Sequence, residues 1–472
     1  MAYYFVPKNL NPGASNCAIK ILCGGLSSAR WCKKADFPDK LVDALERTIN
    51  VTENGTYSVE LTVGKKILVT EFSVCHLKPN KGFAGGDGSQ GAPYLIADCA
   101  QFNRIRLDLS SHYRLIANLD FKRDMKNLCW IPIGNYSCRE PKINPDIPWD
   151  EQDMGYQINY GFTGELDGGG HTISGVTCTQ NKARYVGLFG SCGDGAYIHH
   201  VKVKNCTFDG GGNYAAGTIT GRSENVTIER CFIANSVVED AMCGGGLVGE
   251  AESGSTIKEC QFVGKVVSKH TSMANFGGIV GHTGQITIAI EDCCVKADLI
   301  NCYDGGGIAY GNARTLRCFF SGTVQSTYCS AGIVPYRRGP MPKYCVCAQA
   351  QLYHSASDIL VEPSTRFISF YNEKGDQTGT KRIEDALLNH CGRITCEDHT
   401  LEPLAQPFNY CAPSCILCTQ SGQHAPVDGS LRDGTTVLES DVHNPDFYRS
   451  HGWDFDTVWE VGNDGLPQIK RF

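Results

Sequence analysis

The sequence lacks the segments that mark export or membrane insertion. Residues 1–15 hold no basic region followed by a long apolar run, so we expect no Sec signal peptide. No apolar stretch approaches the ~18–20 residues that a membrane-spanning helix needs, so we expect no membrane insertion. Positive charge is also scarce, because 43 Lys and Arg stand against 50 Asp and Glu, a net charge of −7. This balance argues against a broad cationic surface, and no nucleic-acid partner is expected.

Familiar catalytic motifs are missing as well. The sequence has no Gly-rich phosphate loop, no His-Glu-x-x-His metal site and no Gly-x-Ser-x-Gly nucleophile elbow. Acidic residues occur between 209 and 304, but their spacing does not say which of them face a common groove. A glycosidase needs two carboxyl groups roughly 5–9 Å apart. We predict no catalytic residue, and a glycoside hydrolase or polysaccharide lyase stays an alternative.

Glycine and cysteine, by contrast, are abundant, with 53 Gly and 25 Cys in 472 residues. Average Gly usage is only about 7%. The hydrophobic content of 42% is ample for a core. Because 25 is odd, intrachain disulfides cannot use every thiol, and disulfide-dense secreted scaffolds are usually short. We therefore expect a protein made in a reducing cytoplasm with most of its cysteines as thiols.

A repeat in the middle of the chain uses both residues. Gly-bounded apolar segments recur at 187–190, 217–221, 245–249, 277–281, 306–311 and 331–336. A strand-like run follows each one, and its cysteine is taken to be in register with the others: Cys206, Cys231, Cys260, Cys293, Cys318 and Cys345. These cysteines follow one another at intervals of 25 to 33 residues without a helical periodicity. The pattern indicates a parallel β-solenoid with one turn of chain per repeat.

A solenoid explains the composition. Glycine permits corners with positive φ and a close approach between neighbouring turns. Cysteine is a small apolar residue, so a column of stacked thiols would fill one corner of the core. A metal or redox ladder is the alternative, but six like ligands spaced by one turn each make a packing column and not a tetrahedral cage.

Motifs around the repeats carry a family resemblance. The chain reads PYLIADCAQF at 93–102, HYRLIANLDF at 112–121, WIPIGNY at 130–136 and FTGELDGGGHTISG at 162–175. In this order, and followed by the GGLVG repeats, the motifs resemble those of the GLUG-motif β-helix proteins, and 441–470 resembles the closing segment of that family. The resemblance implies a right-handed parallel β-helix. It also implies that Asp167 and His171 are corner residues of the first turn and not catalytic residues.

The first 80 residues fall outside the repeat. A helix is predicted over 37–50, because Leu41, Leu45 and Ile49 are spaced for one helical face and Pro38 lies near its start. The stretch VTENGTYSV at 51–59 resembles a short β-module of tail and baseplate-associated proteins of phages and prophages. That resemblance implies a role in attachment to a tail.

The fold class predicted is all-β, a right-handed parallel β-helix (β-solenoid) with a small mixed α/β N-terminal module and an irregular C-terminal region. The predicted divisions are an N-terminal attachment module at 1–80, a Gly-rich linker at 81–93, a capping segment at 94–160, parallel β-helix repeats at 161–350 and an irregular closing region at 351–472.

A second group of cysteines lies in the closing region. Cys411, Cys415 and Cys418 fall within CAPSCILC, and Cys391 is near them in sequence. The Cys-x-x-Cys spacing of 415–418 allows zinc binding. A disulfide and unliganded structural thiols are the alternatives, and no other cofactor is expected.

Binding fits this sequence better than catalysis. Solenoids offer long lateral faces and variable loops. The loop 335–344 joins Tyr336 and Tyr344 to Arg337 and Arg338, a combination that suits recognition of a sugar or a protein, although a loop that merely caps the turns is the alternative.

We expect a virion component of a phage or prophage, similar to a tail fibre or tailspike. It would attach to other tail proteins through the N-terminal module, bind a host-surface glycan or protein, and form a homotrimer. The alternatives are a polysaccharide-degrading tailspike and an adhesin of the bacterial cell surface.

Overall fold

The described part of the chain is dominated by β-strands, so the fold class is all-β. The computed structural model describes residues 3–8, 10, 14–77, 82–134, 137–138, 156–157, 161–179, 183–269, 274–284, 287–335, 342–354, 367–371, 377–382, 391–392, 394, 409–419, 422–424 and 434–471. Two compact units divide the chain. Unit 1 comprises Met1–Thr227 and Cys231–Val238, and unit 2 comprises Ile228–Arg230 and Glu239–Phe472. No helix among the described residues is both long and apolar enough to span a bilayer.

The first seven strands of unit 1 form two antiparallel sheets, in the orders β1-β2-β5 and β4-β3-β6-β7. Their bounds are β1 Tyr3–Pro7, β2 Cys17–Cys23, β3 Leu26–Lys33, β4 Val42–Asp43, β5 Thr48–Val51, β6 Gly55–Val63 and β7 Lys66–Val74. The sheets pack on later parts of the same unit. The ring of Phe5 lies 5.0 Å from that of Phe72 at a tilted angle, and the carbonyl oxygen of Phe5 accepts a hydrogen bond from Cys129 N–H at 2.9 Å.

The helix predicted over 37–50 is wrong. This segment contains turns and the strands β4 and β5. In β5 the buried residues Ile49 and Val51 alternate with Thr48 and Asn50, which is the period of a half-buried strand. Leu45 is 77% exposed, so it contributes no apolar helical stripe. The β-branched residues Thr48, Ile49 and Val51 therefore form a strand, as their strand propensities favour.

The rest of unit 1 contains short strands and two short α-helices. The helices are α1 Cys99–Asn103, which a 3-10 turn at Arg104–Leu107 follows, and α2 Phe121–Asp124. The strands are β8 Tyr94–Ile96, β9 His112–Leu115, β10 Leu119–Asp120, β11 Ser137–Cys138, β12 Tyr156–Gln157, β13 Glu165–Asp167, β14 Thr172–Ser174, β15 Thr177–Cys178, β16 Tyr185–Val186, β17 Phe189–Cys192, β18 Tyr197–His199, β19 Lys202–Lys204, β20 Thr207–Gly217 and β21 Thr220–Ser223.

Parallel strand pairing organises this part of unit 1. The strands β8, β9, β13 and β18 pair in parallel, and so do β10, β14 and β19. Inward side chains of neighbouring strands then stack on one another, as in the column Tyr113, Leu166 and Ile198, all fully buried. Each such side chain contributes roughly 1.5–3 kcal/mol through burial.

Unit 2 continues the same pattern over more strands. Two strands cross between the units, β22 Thr227–Glu229 and β23 Phe232–Gly245. The others are β24 Val248–Ala251, β25 Thr256–Lys258, β26 Gln261–Val267, β27 Asn275–Gly277, β28 Val280–Thr283, β29 Ile288–Glu291, β30 Cys294–Gly306, β31 Ala313–Leu316, β32 Phe319–Ala331, β33 Val346–His354, β34 Phe367–Tyr371, β35 Gln377–Arg382, β36 Cys391–Gly392, β37 Tyr410–Cys411, β38 Ile416–Thr419, β39 Gly422–His424, β40 Thr435–Thr436, β41 Trp459–Val461 and β42 Pro467–Ile469. A 3-10 turn at Asp441–His443 and the helix α3 Pro445–Ser450 precede β41.

The core of unit 2 consists of side-chain columns across β26, β30, β32 and β33, which pair in parallel. One column contains Phe262, Val295, Phe320 and Cys347, all fully buried. Another column contains Val266, Leu299 and Val324, each six positions after a cysteine, and Leu352, which is seven positions after Cys345 because the register shifts between Phe320 and Gly322.

The cysteine column exists in unit 2, where it runs through Cys260, Cys293, Cys318 and Cys345. The residue after each later cysteine donates its backbone N–H to the carbonyl oxygen of the cysteine one repeat earlier. Cys294 N–H thus donates to Cys260 O, and Phe319 N–H donates to Cys293 O. All four side chains are fully buried. Burial raises the pKa of Cys293 and Cys345 well above the ordinary value of a thiol. The column is therefore a stack of four buried thiols at the positions that the repeat predicts.

The register assigned to Cys206 is wrong. In unit 1 the N–H of Phe232 bonds to Val201 O, so Val201 and not Cys206 lies one repeat before Cys231. Cys206 lies five residues further on, stacked between Val176 and Ser236. Both positions follow a corner with the same backbone conformation, which is why a cysteine fits at either.

Residues other than glycine occupy these corners, in contrast to the expectation. The residue before each of the four column cysteines has a positive φ, and so has Arg230 before Cys231: Arg230 (49°), Glu259 (53°), Asp292 (50°), Arg317 (50°) and Tyr344 (54°). Their side chains pair along the column. Arg230 Nε lies 2.6 Å from Glu259 Oε2, and Arg317 bonds to both carboxylate oxygens of Asp292 at 2.6 and 2.8 Å. These corner ion pairs offset part of the strain of the left-handed conformation.

Thiol chemistry tests the buried cysteines. Among the described residues twenty cysteines are thiols, all buried except Cys75, whereas Cys329 is disulfide-bonded. Burial raises the pKa of Cys17, Cys192 and Cys243 to about 12, so little reactive thiolate exists at neutral pH. We expect an aromatic disulfide reagent to label few thiols in the native protein and at least twenty in urea without reductant. Rapid labelling of most thiols in the native protein would contradict this packing.

Candidate functional site

A polar groove lies in unit 2 between the C-terminal hairpin β41–β42 and the strands β26 and β30. Its volume is about 420 Å³, within the span of roughly 300–1,000 Å³ typical of ligand sites. The lining side chains are mostly amides, carboxylates and cationic groups: Gln261, Val263, Lys296, Glu460, Asn463, Asp464, Gln468 and Arg471. The groove therefore offers hydrogen-bond donors and acceptors close together.

Contacts inside the groove hold its inner side chains in place. Lys296 Nζ donates to Asp464 Oδ2 at 2.6 Å, and Gln468 Nε2 donates to Glu460 Oε1 at 2.7 Å. Burial raises the pKa of Asp464, but hydrogen bonds from Lys296 and from the Leu466 N–H outweigh it, so this pKa lies below its ordinary value. Asn463 and Arg471 are exposed at the rim.

A second polar cluster lies on the outer face of three parallel strands in unit 1. We call the five residues His112, Glu165, Asp167, His199 and His200 the histidine cluster. Residues 112, 165 and 197 align across β9, β13 and β18, and so do 114, 167 and 199. Because strand side chains alternate, these residues point away from the buried column Tyr113, Leu166 and Ile198.

The histidine cluster is held together by short contacts. Glu165 Oε2 lies 2.8 Å from His112 Nδ1, and Glu165 Oε1 lies 2.9 Å from His199 Nε2. The Nδ1 atoms of His199 and His200 are 2.7 Å apart and lie 3.7 and 4.0 Å from Asp167 Oδ1. Burial raises the pKa of Glu165, but the hydrogen bonds with His199 and His112 outweigh it and leave the pKa below its ordinary value.

The cluster could have been found from the sequence by aligning the inward residues. The segments HYR, ELD and YIH each place two polar or aromatic residues around one buried side chain. The interpretation of Asp167 as a corner residue alone does not predict its place in the histidine cluster. Its Oδ1 does accept a turn hydrogen bond from Gly169 N–H at 2.8 Å, but it also faces His199 and His200.

The predicted receptor-contact residues are only partly described. Tyr336, Arg337 and Arg338 lie outside the described residues. Tyr344 is partly exposed, has a φ of 54°, and accepts a hydrogen bond from Trp453 Nε1 on its carbonyl oxygen at 3.1 Å. Their role in receptor contact stays a prediction.

Two of the four predicted zinc candidates lie beside a further cysteine. Cys411 pairs in register with Cys347, and Cys415 Sγ lies 3.3 Å from Cys347 Sγ. The backbone of Cys391 pairs with Ser330, and that of Cys418 pairs with Tyr353. Zinc binding by these cysteines stays a prediction.

The comparisons with known proteins give partial matches. No protein-family profile matches the chain. Halomucin from Haloquadratum walsbyi is 31% identical over 179 residues, which are 37% of this chain and 2% of Halomucin. A protein of Evansella cellulosilytica, provisionally named as a Gly-rich membrane protein, is 26% identical over 156 residues, 31% of this chain and 16% of that protein. The chain thus spans a small part of both curated relatives.

A solved structure from Bacteroides ovatus, provisionally described as an immunoglobulin A1 protease, overlaps 83% of this chain and 96% of its own. Its TM-score is 0.37 and its sequence identity is 14%. At this level the likeness carries no argument about fold or function.

Proposed function

We propose that the chain is a glycan-binding surface protein of the tail-fibre type, built on a right-handed parallel β-helix. The polar groove of unit 2 is the observation that carries this proposal. Sugars present hydroxyl groups that both donate and accept, and carboxylates, carboxamides and guanidinium groups offer matching pairs of atoms. The rim residues Asn463 and Arg471 are exposed and available to such hydroxyls, while the contacts of Asp464 and Gln468 keep the groove in shape before the sugar binds.

The virion assignment follows from the sequence of the N-terminal module and belongs to the same proposal. Attachment to other tail proteins would use residues 1–80, and a homotrimer would present three grooves to one host surface. A trimeric arrangement strengthens weak binding to a repeated glycan through multivalency.

Binding is favoured over cleavage at the groove. A glycosidase needs one carboxylic acid whose pKa is raised so that it can donate a proton. Asp464 has the opposite perturbation, because its ion pair with Lys296 stabilises the carboxylate. A polysaccharide-degrading tailspike would therefore need other residues.

A bacterial surface adhesin is the second candidate. The name of the Evansella cellulosilytica relative, which refers to a membrane protein, favours a place at the cell surface. Both candidates use the groove in the same way, and they differ in what the protein is attached to.

Glycan binding tests the proposal. The full chain would be applied to an array of bacterial surface polysaccharides, and Asn463→Ala and Arg471→Ala would be compared with it. Each lost hydrogen bond is expected to weaken binding about tenfold, since one bond is worth about 1–1.5 kcal/mol. Lys66→Ala, at an exposed residue of β7 in unit 1, is the matched control and is expected to bind normally.

The outcomes separate the candidates as follows. Retention of glycan without release of reducing ends or unsaturated sugars supports a binding protein, and release of such products would favour the enzyme. Equal binding by the three variants would refute the groove as the site, and binding only to a surface protein would refute the glycan. Immunogold labelling of virions and of cells then distinguishes the tail component from the adhesin.

A further inference from the structure

We propose that Asp167, His199 and His200 form a binding site for a divalent transition-metal ion of the zinc type. The site lies within unit 1 and is independent of the glycan groove. The three donor atoms are Asp167 Oδ1 and the Nδ1 atoms of both histidines, and all lie within 4.8 Å of one another. Two imidazole nitrogens and one carboxylate oxygen are a donor set that suits zinc and its neighbours, whereas calcium and magnesium prefer oxygen alone.

The separations between the donor atoms are close to those that a bound ion requires. Ligand atoms about 2.0–2.1 Å from a tetrahedral zinc ion lie about 3.3 Å from each other. Here the three separations are 2.7, 3.7 and 4.0 Å. Changes of less than an ångström, which small side-chain rotations provide, bring all three to that value.

The hydrogen bond between His199 and Glu165 leaves the other ring nitrogen facing the proposed metal position. Its Nε2 lies 2.9 Å from Glu165 Oε1, and an ionised carboxylate can only accept a hydrogen bond. Nε2 therefore donates to Glu165, and Nδ1 is the nitrogen that faces His200 and Asp167. A carboxylate that holds the far nitrogen of a ligand histidine is a recurrent support of metal sites.

Neighbouring side chains fix the other groups. Glu165 is itself held by His112 at 2.8 Å, and the ring of Tyr197 stacks on His199 at 4.1 Å between centroids. Arg114 Nε lies 3.3 Å from Asp167 Oδ2, so Asp167 Oδ1 is the oxygen turned to the histidines. The positive φ of His200, 53°, brings its ring to the same side as that of His199.

The site is accessible to an ion from solution. The side chains of His200 and Asp167 are 31% and 21% exposed, whereas His199 is buried. Three protein ligands leave a fourth position for water or for an oxygen of a bound molecule.

Metal titration of the full chain tests the site. After dialysis against a chelator, zinc added in a calorimeter is expected to bind at one equivalent per chain. Asp167→Asn and His200→Asn are expected to lower the affinity at least about 100-fold. Asn keeps the turn acceptor at 167 and tolerates the positive φ at 200, so both variants should fold. Glu165→Gln, which removes the carboxylate that contacts His199 and His112 but leaves the three ligands in place, should cost about 10–100-fold.

Two controls assign the ligands. His171→Ala changes a histidine of the same segment outside the donor set and is expected to leave binding unchanged. Cobalt(II) in place of zinc should give a spectrum without the sulfur-to-metal charge-transfer band, since the ligands are nitrogen and oxygen. A thiolate band, normal affinity in Asp167→Asn and His200→Asn, or no stoichiometric binding by the wild type, as expected for a hydrogen-bonded cluster only, would overturn the proposal.

Discussion

Gly278→Ala is expected to destabilise unit 2 by at least about 4 kcal/mol, or to prevent its folding. Gly278 is the second glycine of the GGIVG segment. A Cβ atom placed on it would overlap the carbonyl oxygen of Gly307 in the following repeat and would lie 2.9 Å from Val295 Cγ2. The carbonyl groups on both sides of Gly307 accept hydrogen bonds from this segment, Gly306 O from Gly278 N–H and Ile308 O from Ile279 N–H, so the overlap cannot relax without disturbing them.

The same contact recurs along the stack. A Cβ on Gly246 would overlap Gly278 O, and one on Gly307 would overlap Gly332 O. None of these three glycines has a positive φ. Glycine is needed at these three positions because the backbones of neighbouring repeats approach closely there. A left-handed backbone conformation is not the reason.

Gly284→Ala is the matched control, six residues further along the same unit. Its nearest atoms would be those of the flexible Glu252 carboxylate, which can rotate away. Urea unfolding followed by circular dichroism should show a loss of less than about 1 kcal/mol for this variant. Comparable stability of Gly278→Ala and Gly284→Ala would mean that the close approach of the repeats is not the cause of the glycine pattern.

These glycines illustrate which parts of the fold the sequence could predict. The prediction that Cys260, Cys293 and Cys318 form one column is confirmed. It could be made from the repeat spacing because each repeat places the same side chain in the same environment. The assignment of Cys206 failed because two corners per repeat share one backbone conformation, and spacing alone does not separate them. Corner residues such as Arg230 and Glu259 were missed since their pairing depends on which strands become neighbours.

The candidate sites were harder to predict for the same reason. The groove joins residues near 261 and 296 to residues near 464. A local sequence pattern cannot predict a contact between residues so far apart in the chain. His199 and Asp167 lie on neighbouring strands, so their approach depends on register. In the N-terminal module, the spacing of Leu41 and Leu45 resembled a helix, but burial of Ile49 and Val51 in β5 decided the structure.

The pH dependence of stability should depend on His76, which is buried in unit 1. Neither ring nitrogen has a hydrogen-bond partner among the described residues. Burial, and then the positive charge of Arg106, lowers the pKa of His76 to about 4. The Arg106 guanidinium donates to Asn103 Oδ1 at 2.8 Å and to Ile131 O at 2.9 Å. Both acceptors are neutral, so the positive charge of Arg106 is not compensated by these bonds and disfavours a protonated His76.

The direction of the effect follows from proton uptake. The ordinary pKa of histidine is about 6.5, so between pH 6.5 and 4 the unfolded chain binds a proton at this position and the folded chain does not. Acidification over this range therefore favours unfolding. The contribution of His76 is a loss of about 2 kcal/mol at pH 5 and about 3 kcal/mol at pH 4, relative to neutral pH.

His76→Leu isolates this contribution, because leucine fills a similar volume without an ionisable group. At pH 7 the variant should be at least as stable as the wild type, since two unsatisfied polar atoms are removed. Carboxylates elsewhere titrate equally in both proteins, so the difference between their free energies of unfolding reports position 76 alone. Urea unfolding at pH 7 and pH 5 should show that difference growing by about 2 kcal/mol in favour of the variant. A difference that does not change with pH would mean that His76 accepts a proton in the folded chain as readily as in the unfolded one.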